Sequence, residues 1–119
     1  MSDTDRDVFH QGVTLFNDGQ FFEAHEAFEE LLDEVEEDDR WDLLVALIQV
    51  AVGYHKLASG HVGAARMLGL GLEKLGAFPS DAWGMRLDLL RRRVEEDLAG
   101  SEDEAAARVN SDPPRIVRA

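Results

Sequence analysis

Helical spacing of the apolar residues is the strongest constraint on the fold of this chain. No proline occurs before Pro79, and no run of alternating β-branched residues typical of a strand is present. Apolar residues instead recur every three or four positions, which is the period of an α-helix. The sequence therefore predicts an all-α protein of about five helices.

Turn signals divide the first part of the chain into helices of ordinary length. Asp3 or Thr4 is expected to cap the first helix, which ends at the turn sequence NDG, and the second helix begins near Gln20. The third, from about Asp39 to Ala58, is apolar on nearly all sides through its middle, which is typical of a helix contacted from several directions. We therefore expect the third helix to form the core of the bundle.

The later helices carry more charge. After the break SGH a fourth helix extends to about Leu75, and Ser80 or Asp81 is expected to cap a fifth. One stripe of the fifth helix is apolar and consists of Trp83, Leu87, Leu90, Val94 and Leu98. We interpret its other face as a solvated surface with paired charges, carried by Asp88, Arg91, Arg92, Arg93, Glu95, Glu96 and Asp97. Arg91 with Glu95 and Arg92 with Glu96 are candidate i,i+4 pairs.

The end of the chain is predicted to be a short helix followed by a tail. Ser101 and Glu104 have the spacing of a capping box, which predicts a short helix, and the last ten residues read as an extended segment. We divide the chain into a single helical domain over residues 1–100 and a short helix with an extended or disordered tail over residues 101–119.

Several residues recur at a spacing of 41 positions. The series Gly12, Gly19, Phe21, Ala24 and Leu31 is followed by the series Gly53, Gly60, Val62, Ala65 and Leu72. The first series resembles the tetratricopeptide pattern, in which small residues let two antiparallel helices approach and aromatic residues fill the seam. We predict two tetratricopeptide-like antiparallel hairpins with a C-terminal capping helix; an unrelated helical bundle is the alternative.

The charge balance excludes two classes of partner. Acidic residues outnumber basic ones 25 to 12, the formal net charge is −13, and the only lysines are Lys56 and Lys74. A surface this negative repels phosphate backbones and anionic lipid headgroups, so neither nucleic acid nor a membrane is expected as a partner. Such a surface also suits a halophilic protein, because the Debye length falls to about 3 Å at 1 M salt. An ordinary acidic cytosolic protein is the alternative.

The sequence contains no cysteine, which excludes disulfides, thiolate metal sites and cysteine nucleophiles. Its first ten residues lack the positive flank and apolar run of a signal peptide. The most apolar stretch, 43–54, is interrupted by Gln49 and is shorter than the roughly 20 residues of a spanning helix. We therefore expect a cytoplasmic location.

One histidine stands in a stretch that is otherwise built to pack. His25 and Glu29 lie four positions apart on the second helix, so their β-carbons are about 5 to 6 Å apart on one face. A buried imidazole needs a partner for each ring nitrogen, because an unpaired one costs about 1 to 3 kcal/mol. Glu29 can serve one nitrogen, and a structural pair is the alternative to a functional site. His10 and His61 lie near helix ends and are interpreted as surface residues.

The third helix supplies candidates for the second nitrogen, because hairpins of this kind lay the third helix against the second. We predict a polar pocket whose residues are His25, Glu29, Gln49 and His55, with Glu26 and Tyr54 at its margin. His25, Glu29 and His55 could together bind a divalent metal such as zinc with one position left open. His25 could instead act as a general base whose tautomer Glu29 fixes.

Two segments of the chain resemble a known family. LFNDGQFFEAHEAFEELL and LIQVAVGYHKLASGHVGAA, within Val8–Leu75, are similar to the domain of unknown function 309 family. Its signature is a histidine, a glutamate four positions later and a tryptophan three further on, after a Phe-Asn-x-Gly sequence. His25 and Glu29 match the first two positions, whereas Leu32 replaces the tryptophan, which would supply a pocket wall and an N–H donor. The resemblance implies an all-helical, tetratricopeptide-like fold with a polar site at His25 and Glu29, and no particular activity.

Two kinds of function follow from these patterns. The first is a helical-repeat module that binds a protein, a peptide or a second copy of itself, because so short a repeat array commonly needs a cap or a dimer. The second is a small metal-dependent or acid–base enzyme, such as a hydrolase, that uses His25, Glu29 and His55.

Overall fold

The computed structural model describes residues 2–35 and 39–119. Within these residues the chain forms one 3₁₀ turn, Ala82–Gly84, and six helices: α1 (Asp3–Asn17), α2 (Phe21–Leu32), α3 (Asp39–Ser59), α4 (Ala64–Leu75), α5 (Leu87–Ala99) and α6 (Glu102–Ser111). The all-α class is confirmed, and the described helices number six rather than about five. The sixth is the short helix predicted from its cap, since the Ser101 hydroxyl accepts a hydrogen bond from the Glu104 N–H.

α1 and α2 form an antiparallel hairpin. The rings of Phe16 and Phe21 meet beside the turn, 5.1 Å apart, and those of Phe9 and Phe28 meet farther from it, 5.9 Å apart. The helices approach closely at Gly12, where an added β-carbon would lie 2.6 Å from a ring carbon of Phe28. The small residue therefore sets the distance between the helices, as the repeat pattern predicts.

α3 and α4 form a second antiparallel hairpin with its own close contact. An added β-carbon on Gly53 would lie 2.7 Å from Leu68, and one on Gly71 would lie 2.7 Å from Val50. Gly60 ends α3 with a φ of +71°, as Gly19 ends α1 with a φ of +79°. These left-handed conformations favour glycine. Gly12 and Gly53, 41 residues apart, thus occupy equivalent positions in the two hairpins, and so do Gly19 and Gly60.

The repeat loses its register after Gly60. Val62, which the spacing pairs with the buried Phe21, is 91% exposed in the loop before α4. The reason is that α4 begins at Ala64, two positions later than the repeat predicts, after Gly63 adopts a φ of +95°. As a result Ala64 rather than Ala65 is the buried alanine of this helix.

α3 lies at the centre of the fold, as its apolar sequence predicts. It packs against α2, α4 and α6. Its fully buried side chains fill the space between these helices and include Leu43, Leu44, Leu47, Val50 and Tyr54. Among the described residues, no helix is both long enough and apolar enough to cross a membrane.

The prediction that Ser80 or Asp81 caps α5 is wrong. The helix begins at Leu87, and the 3₁₀ turn before it holds Trp83 with a φ of +55°. The Trp83 ring packs edge-on against Phe9, 5.3 Å away, so it belongs to the contact with α1 rather than to the α5 stripe.

The predicted pairing of Arg91 with Glu95 is not the contact that the structure shows. The Arg91 guanidinium donates to the carbonyl oxygen of Leu75 from Nε at 3.1 Å and from Nη2 at 2.6 Å, and Nη2 also donates to the Phe78 carbonyl. Carbonyls at a helix end lack partners within the helix, so a cation that donates to them is favoured. Arg91 therefore joins α5 to the end of α4.

The final segment, residues 113–119, is extended and runs back to α1. Asn17 holds it by donating Nδ2–H to the Ile116 carbonyl at 3.0 Å and accepting the Ile116 N–H on Oδ1 at 2.7 Å. Pro114 and Ile116 are buried. The Ala119 N–H also donates to the Gly84 carbonyl at 2.8 Å. The segment thus has specific contacts, while the division at residue 100 stays a prediction.

Candidate functional site

An open groove of about 290 Å³ lies between the start of α2 and the end of α3. We call it the histidine groove, and its lining residues are Phe22, His25, Val52, His55, Lys56 and His61. The antiparallel packing of α2 on α3 accounts for this set, because residues three or four apart share one helix face and the two faces meet here. The loop after α3 adds His61 at one end.

His25 has a defined tautomer in the groove. Its Nδ1 lies within hydrogen-bond distance of the Phe22 carbonyl oxygen, and because a carbonyl only accepts, Nδ1 carries the proton. Nε2 lies 3.8 Å from Oε1 of Glu29, which is longer than a hydrogen bond. The backbone of Phe22 rather than Glu29 therefore fixes the ring, and in the neutral imidazole Nε2 keeps its lone pair.

Phe22 is the exposed apolar centre of the groove, with 45% of its surface accessible. Its ring lies 4.7 Å from that of His25 and 5.1 Å from that of His55. The ring of His55 in turn lies 6.0 Å from that of His61. Four aromatic rings therefore line one continuous surface. The sequence analysis did not predict that Phe22 and His61 belong to this surface.

The lining of the histidine groove contains no carboxylate, although the chain has a net charge of −13. Lys56 is the one lysine in the lining, and its Nζ donates to the Val62 carbonyl at 3.4 Å. Three of the four histidines of the chain are also here. The groove is therefore an aromatic patch, rich in imidazole and lined by no carboxylate, on an acidic protein.

The other residues predicted for the pocket lie elsewhere. Glu26 and Glu29 are exposed on α2 and do not line the groove. Gln49 is half-buried on α3, and its side-chain oxygen is buried without a hydrogen-bond partner among the described residues. Leu32, at the position of the family tryptophan, packs against the core.

The placement of Tyr54 at the pocket margin is corrected by the structure. Tyr54 is fully buried, and its hydroxyl donates to Oδ2 of Asp97 at 2.7 Å. Burial, and after it the hydrogen bond to Asp97, raises the pKa of the Tyr54 hydroxyl. Adjacent positions on a helix point about 100° apart, so Tyr54 faces the core while His55 faces the groove.

Asp97 forms a buried charged cluster that sequence reasoning assigned to solvent. Its carboxylate accepts from Nε of Arg93 at 2.9 Å and from Nη1 of Arg108 at 2.5 Å, besides Tyr54. Residues 93 and 97 have the i,i+4 spacing of an ion pair, which is the one sequence signal for this cluster. The cluster joins α3, α5 and α6, and its chemistry is structural because its groups satisfy one another.

Among the described residues, the structure shows no set of side chains grouped to bind the predicted metal ion. Within residues 2–35 and 39–119, no three histidine, aspartate or glutamate side chains are grouped so as to hold a metal ion. His25 and His55 share the groove, whereas Glu29 does not line it. A zinc site formed by His25, Glu29 and His55 stays a prediction.

A comparison with protein families matches the part of the chain that contains the histidine groove. A model of the family described as Domain of unknown function (DUF309) matches residues 9–68, just over half of the chain. The chain belongs to the DUF309 family. The resemblance found in the sequence is thereby confirmed, and the matched residues run from within α1 to the first turn of α4, including every residue of the histidine groove. No curated protein matches the chain.

Proposed function

We propose that this DUF309 protein is a peptide-binding module made of two tetratricopeptide-like hairpins, and that the histidine groove is its docking site. Two features support a repeat-like fold. The two helices of each hairpin approach closely at Gly12 and at Gly53, and Gly19 and Gly60 end the first helix of each hairpin. Repeat modules of this kind commonly bind extended partners along a groove between helices.

The exposure of Phe22 is the observation that carries the proposal. An accessible phenylalanine in a concave surface offers an apolar contact that a partner side chain can bury, and aromatic residues are enriched at the centres of interfaces. The groove volume of about 290 Å³ lies just below the range of small-molecule pockets, about 300 to 1,000 Å³, and the groove is open. It suits one or two side chains of a peptide better than an enclosed metabolite.

Selection of peptides from a random library displayed on phage tests this proposal. Peptides enriched on the protein are expected to bind at least about tenfold more weakly to the Phe22→Ser variant, since an anchor at an interface centre contributes more than 1.4 kcal/mol. Val117→Ser is the matched control, because Val117 has a similar exposed fraction, 41%, and does not line the groove. No enrichment, or equal affinity for the two variants, would refute the proposal.

Self-association is the second outcome that the same surface allows. If the groove binds another copy of the chain, sedimentation velocity will show a concentration-dependent dimer that Phe22→Ser abolishes and Val117→Ser keeps. A monomer at all concentrations, with peptide binding intact, assigns the groove to a separate partner.

An acid–base enzyme is the alternative, and the tautomer of His25 is the observation that favours it. With Nδ1–H directed to the Phe22 carbonyl, Nε2 keeps the lone pair of a base and lies 3.8 Å from Oε1 of Glu29. The lining, however, contains no hydroxyl, thiol or carboxylate side chain to act as a nucleophile beside it. Hydrolysis of a panel of chromogenic esters that disappears in His25→Gln, with peptide binding unchanged, would favour the enzyme.

The cellular setting belongs to this proposal as well. We infer a cytoplasmic protein adapted to high salt. The adaptation is supported by the excess of acidic residues, 25 against 12 basic ones. Their mutual repulsion is screened at molar salt. A melting temperature that rises steadily between about 0.1 and 2 M KCl would support the adaptation, and one that stays constant would contradict it.

A further inference from the structure

We propose that the peptide bound by the histidine groove carries an arginine, which stacks on Phe22 and donates to carboxylates at the edge of the groove. The inference rests on the proposed peptide-binding function and specifies the chemistry of the partner. Three observations support it: Phe22 is exposed, carboxylates flank the groove on two sides, and the chain has a net charge of −13. None of them depends on the protonation of a histidine.

The ring of Phe22 is the surface on which a flat cation can rest. Phe22 is 45% accessible, and the rings of His25 and His55 lie 4.7 and 5.1 Å away at interplanar angles of 70° and 59°. Neither of these two rings is therefore stacked in parallel on Phe22. A guanidinium group lies flat on an aromatic face and is attracted by its π electrons. A partner arginine would thus bury a ring that the protein alone leaves in water.

Two carboxylates of α2 lie close to this ring. Glu26 is exposed and follows Phe22 by four positions, so the two share a helix face with β-carbons about 5 to 6 Å apart. Glu29 is also exposed, and its Oε1 lies 3.8 Å from Nε2 of His25 in the lining. Among the described residues, neither carboxylate forms a salt bridge with a lysine or an arginine. A guanidinium stacked on Phe22 would therefore find acceptors for its N–H groups.

The fixed charges around the groove favour a cation in spite of Lys56. A second cavity shares Lys56 and His61 with the groove and is also lined by carboxylates of α6. The carboxylates that flank the groove on its two sides are Glu26, Glu29, Glu102 and Asp103. They outnumber the single ammonium, whose Nζ donates to the Val62 carbonyl at 3.4 Å in the loop after α3. Because Lys56 offsets the α6 carboxylates, the arginine is expected on the α2 side, over Phe22.

The net charge of −13 acts in the same direction. Attraction between a negative protein and a cationic peptide speeds their association, and salt weakens this effect. At about 1 M salt the Debye length is about 3 Å, so only groups in contact with the arginine still act on it. Stacking on Phe22 and hydrogen bonds to Glu26 or Glu29 are contacts of this kind. Recognition of arginine is therefore compatible with a protein adapted to high salt.

The peptides selected from the phage library test the inference. Arginine is expected at one fixed position of the enriched sequences. The most enriched peptide is then synthesised with a fluorescent label, and also with that arginine replaced by citrulline, its uncharged analogue, or by lysine. Anisotropy should show about tenfold weaker binding with citrulline and about threefold weaker binding with lysine, which keeps the charge but does not stack flat. A buffer at about pH 8, above the ordinary imidazole pKa of about 6.5, makes the comparison independent of histidine protonation.

Matched variants locate the bound arginine. Glu26→Gln and Glu29→Gln should each weaken the arginine peptide about two- to threefold, a typical effect for an exposed ion pair, and leave the citrulline peptide unchanged. Lys56→Gln should tighten the arginine peptide about twofold, because it removes a like charge. The controls Glu73→Gln and Glu95→Gln remove exposed carboxylates of α4 and α5 that do not line either cavity, and should change nothing. Circular dichroism of each variant checks that the fold is retained.

The outcomes separate this inference from the proposed function. If the enriched peptides bind through Phe22 but lack arginine, or if the citrulline peptide binds equally well, peptide recognition stands and the preference for arginine is wrong. Equal effects of the groove and control variants would also overturn the preference. Weaker binding by Lys56→Gln would do the same, since it would indicate an anionic partner. If no peptide is enriched, both proposals fall.

Discussion

Replacing Asp97 by alanine tests the account of the core most severely. The carboxylate is buried, with 4% of the residue accessible, and it accepts hydrogen bonds from Tyr54, Arg93 and Arg108. The variant leaves the Tyr54 hydroxyl buried without an acceptor, at a cost of about 1 to 3 kcal/mol. It also leaves two guanidinium groups without their counter-charge, and breaking a buried ion pair in this way costs about 3 to 5 kcal/mol.

The exposure of the two arginines sets the expected value near the lower limit. Their side chains are 16% and 34% accessible, so water can partly replace the carboxylate. Nη2 of Arg93 also keeps its bond to the Asp112 carbonyl at 2.6 Å. We therefore expect Asp97→Ala to lose about 3 kcal/mol of unfolding free energy, equivalent to roughly 10 to 15 °C in melting temperature for a domain of this size.

Urea unfolding followed by far-ultraviolet circular dichroism measures this loss directly. The control is Asp112→Ala, because that carboxylate is 85% exposed and lies 4.0 Å from Arg93. It should change stability by less than about 0.5 kcal/mol. A loss below about 1 kcal/mol in Asp97→Ala would show that the carboxylate is solvated, as the charge pattern alone suggests, and would refute the buried cluster.

Three further predictions follow from packing, ionisation and the C-terminal contact. Gly12→Ala should destabilise the protein by about 1 to 2 kcal/mol in urea unfolding, because its β-carbon would overlap a core phenylalanine. Gly69→Ala, with nothing within 4 Å, should stabilise it by about 0.5 to 1 kcal/mol. Tyr54 is the single tyrosine and its folded-state pKa is raised by burial, so stability should be full below about pH 10 and fall above it. Tyrosinate absorbance should then appear only together with unfolding, and its appearance in the folded protein near pH 10 would contradict the burial. Asn17→Ala should cost about 1 to 3 kcal/mol and speed amide exchange at residue 116, whereas unchanged exchange would show that the segment is held by other contacts.

Local sequence determined much of what could be predicted. Glycines at helix ends and at close helix contacts act through their own backbone, so the positions of Gly12 and Gly19 could be assigned from spacing alone. The structure brings His25 and His55 to the same groove because an antiparallel pair of helices leaves few alternatives once the turns are known. The family model matches residues 9–68, which contain these glycines and both histidines.

Long-range contacts determined what could not be predicted. Asp97 lies in a run of charges that would look the same on a solvated helix, and its partner Tyr54 is 43 residues away. Asn17 binds Ile116 across 99 residues, so no local pattern marks it. Val62 was paired with Phe21 by spacing, but Gly63 delays the start of α4 and leaves Val62 in the loop. These positions depend on the assembled fold rather than on neighbouring residues.

Nuclear magnetic resonance of the histidine rings tests the central claim most directly. The chain has four histidines, of which His25, His55 and His61 line the groove and His10 does not. When a peptide selected on the protein is added, the account predicts that the ring Cε1–H signals of the three groove histidines shift and that the signal of His10 stays in place. A shift of His10 with the groove signals unchanged would place the peptide elsewhere and contradict the account.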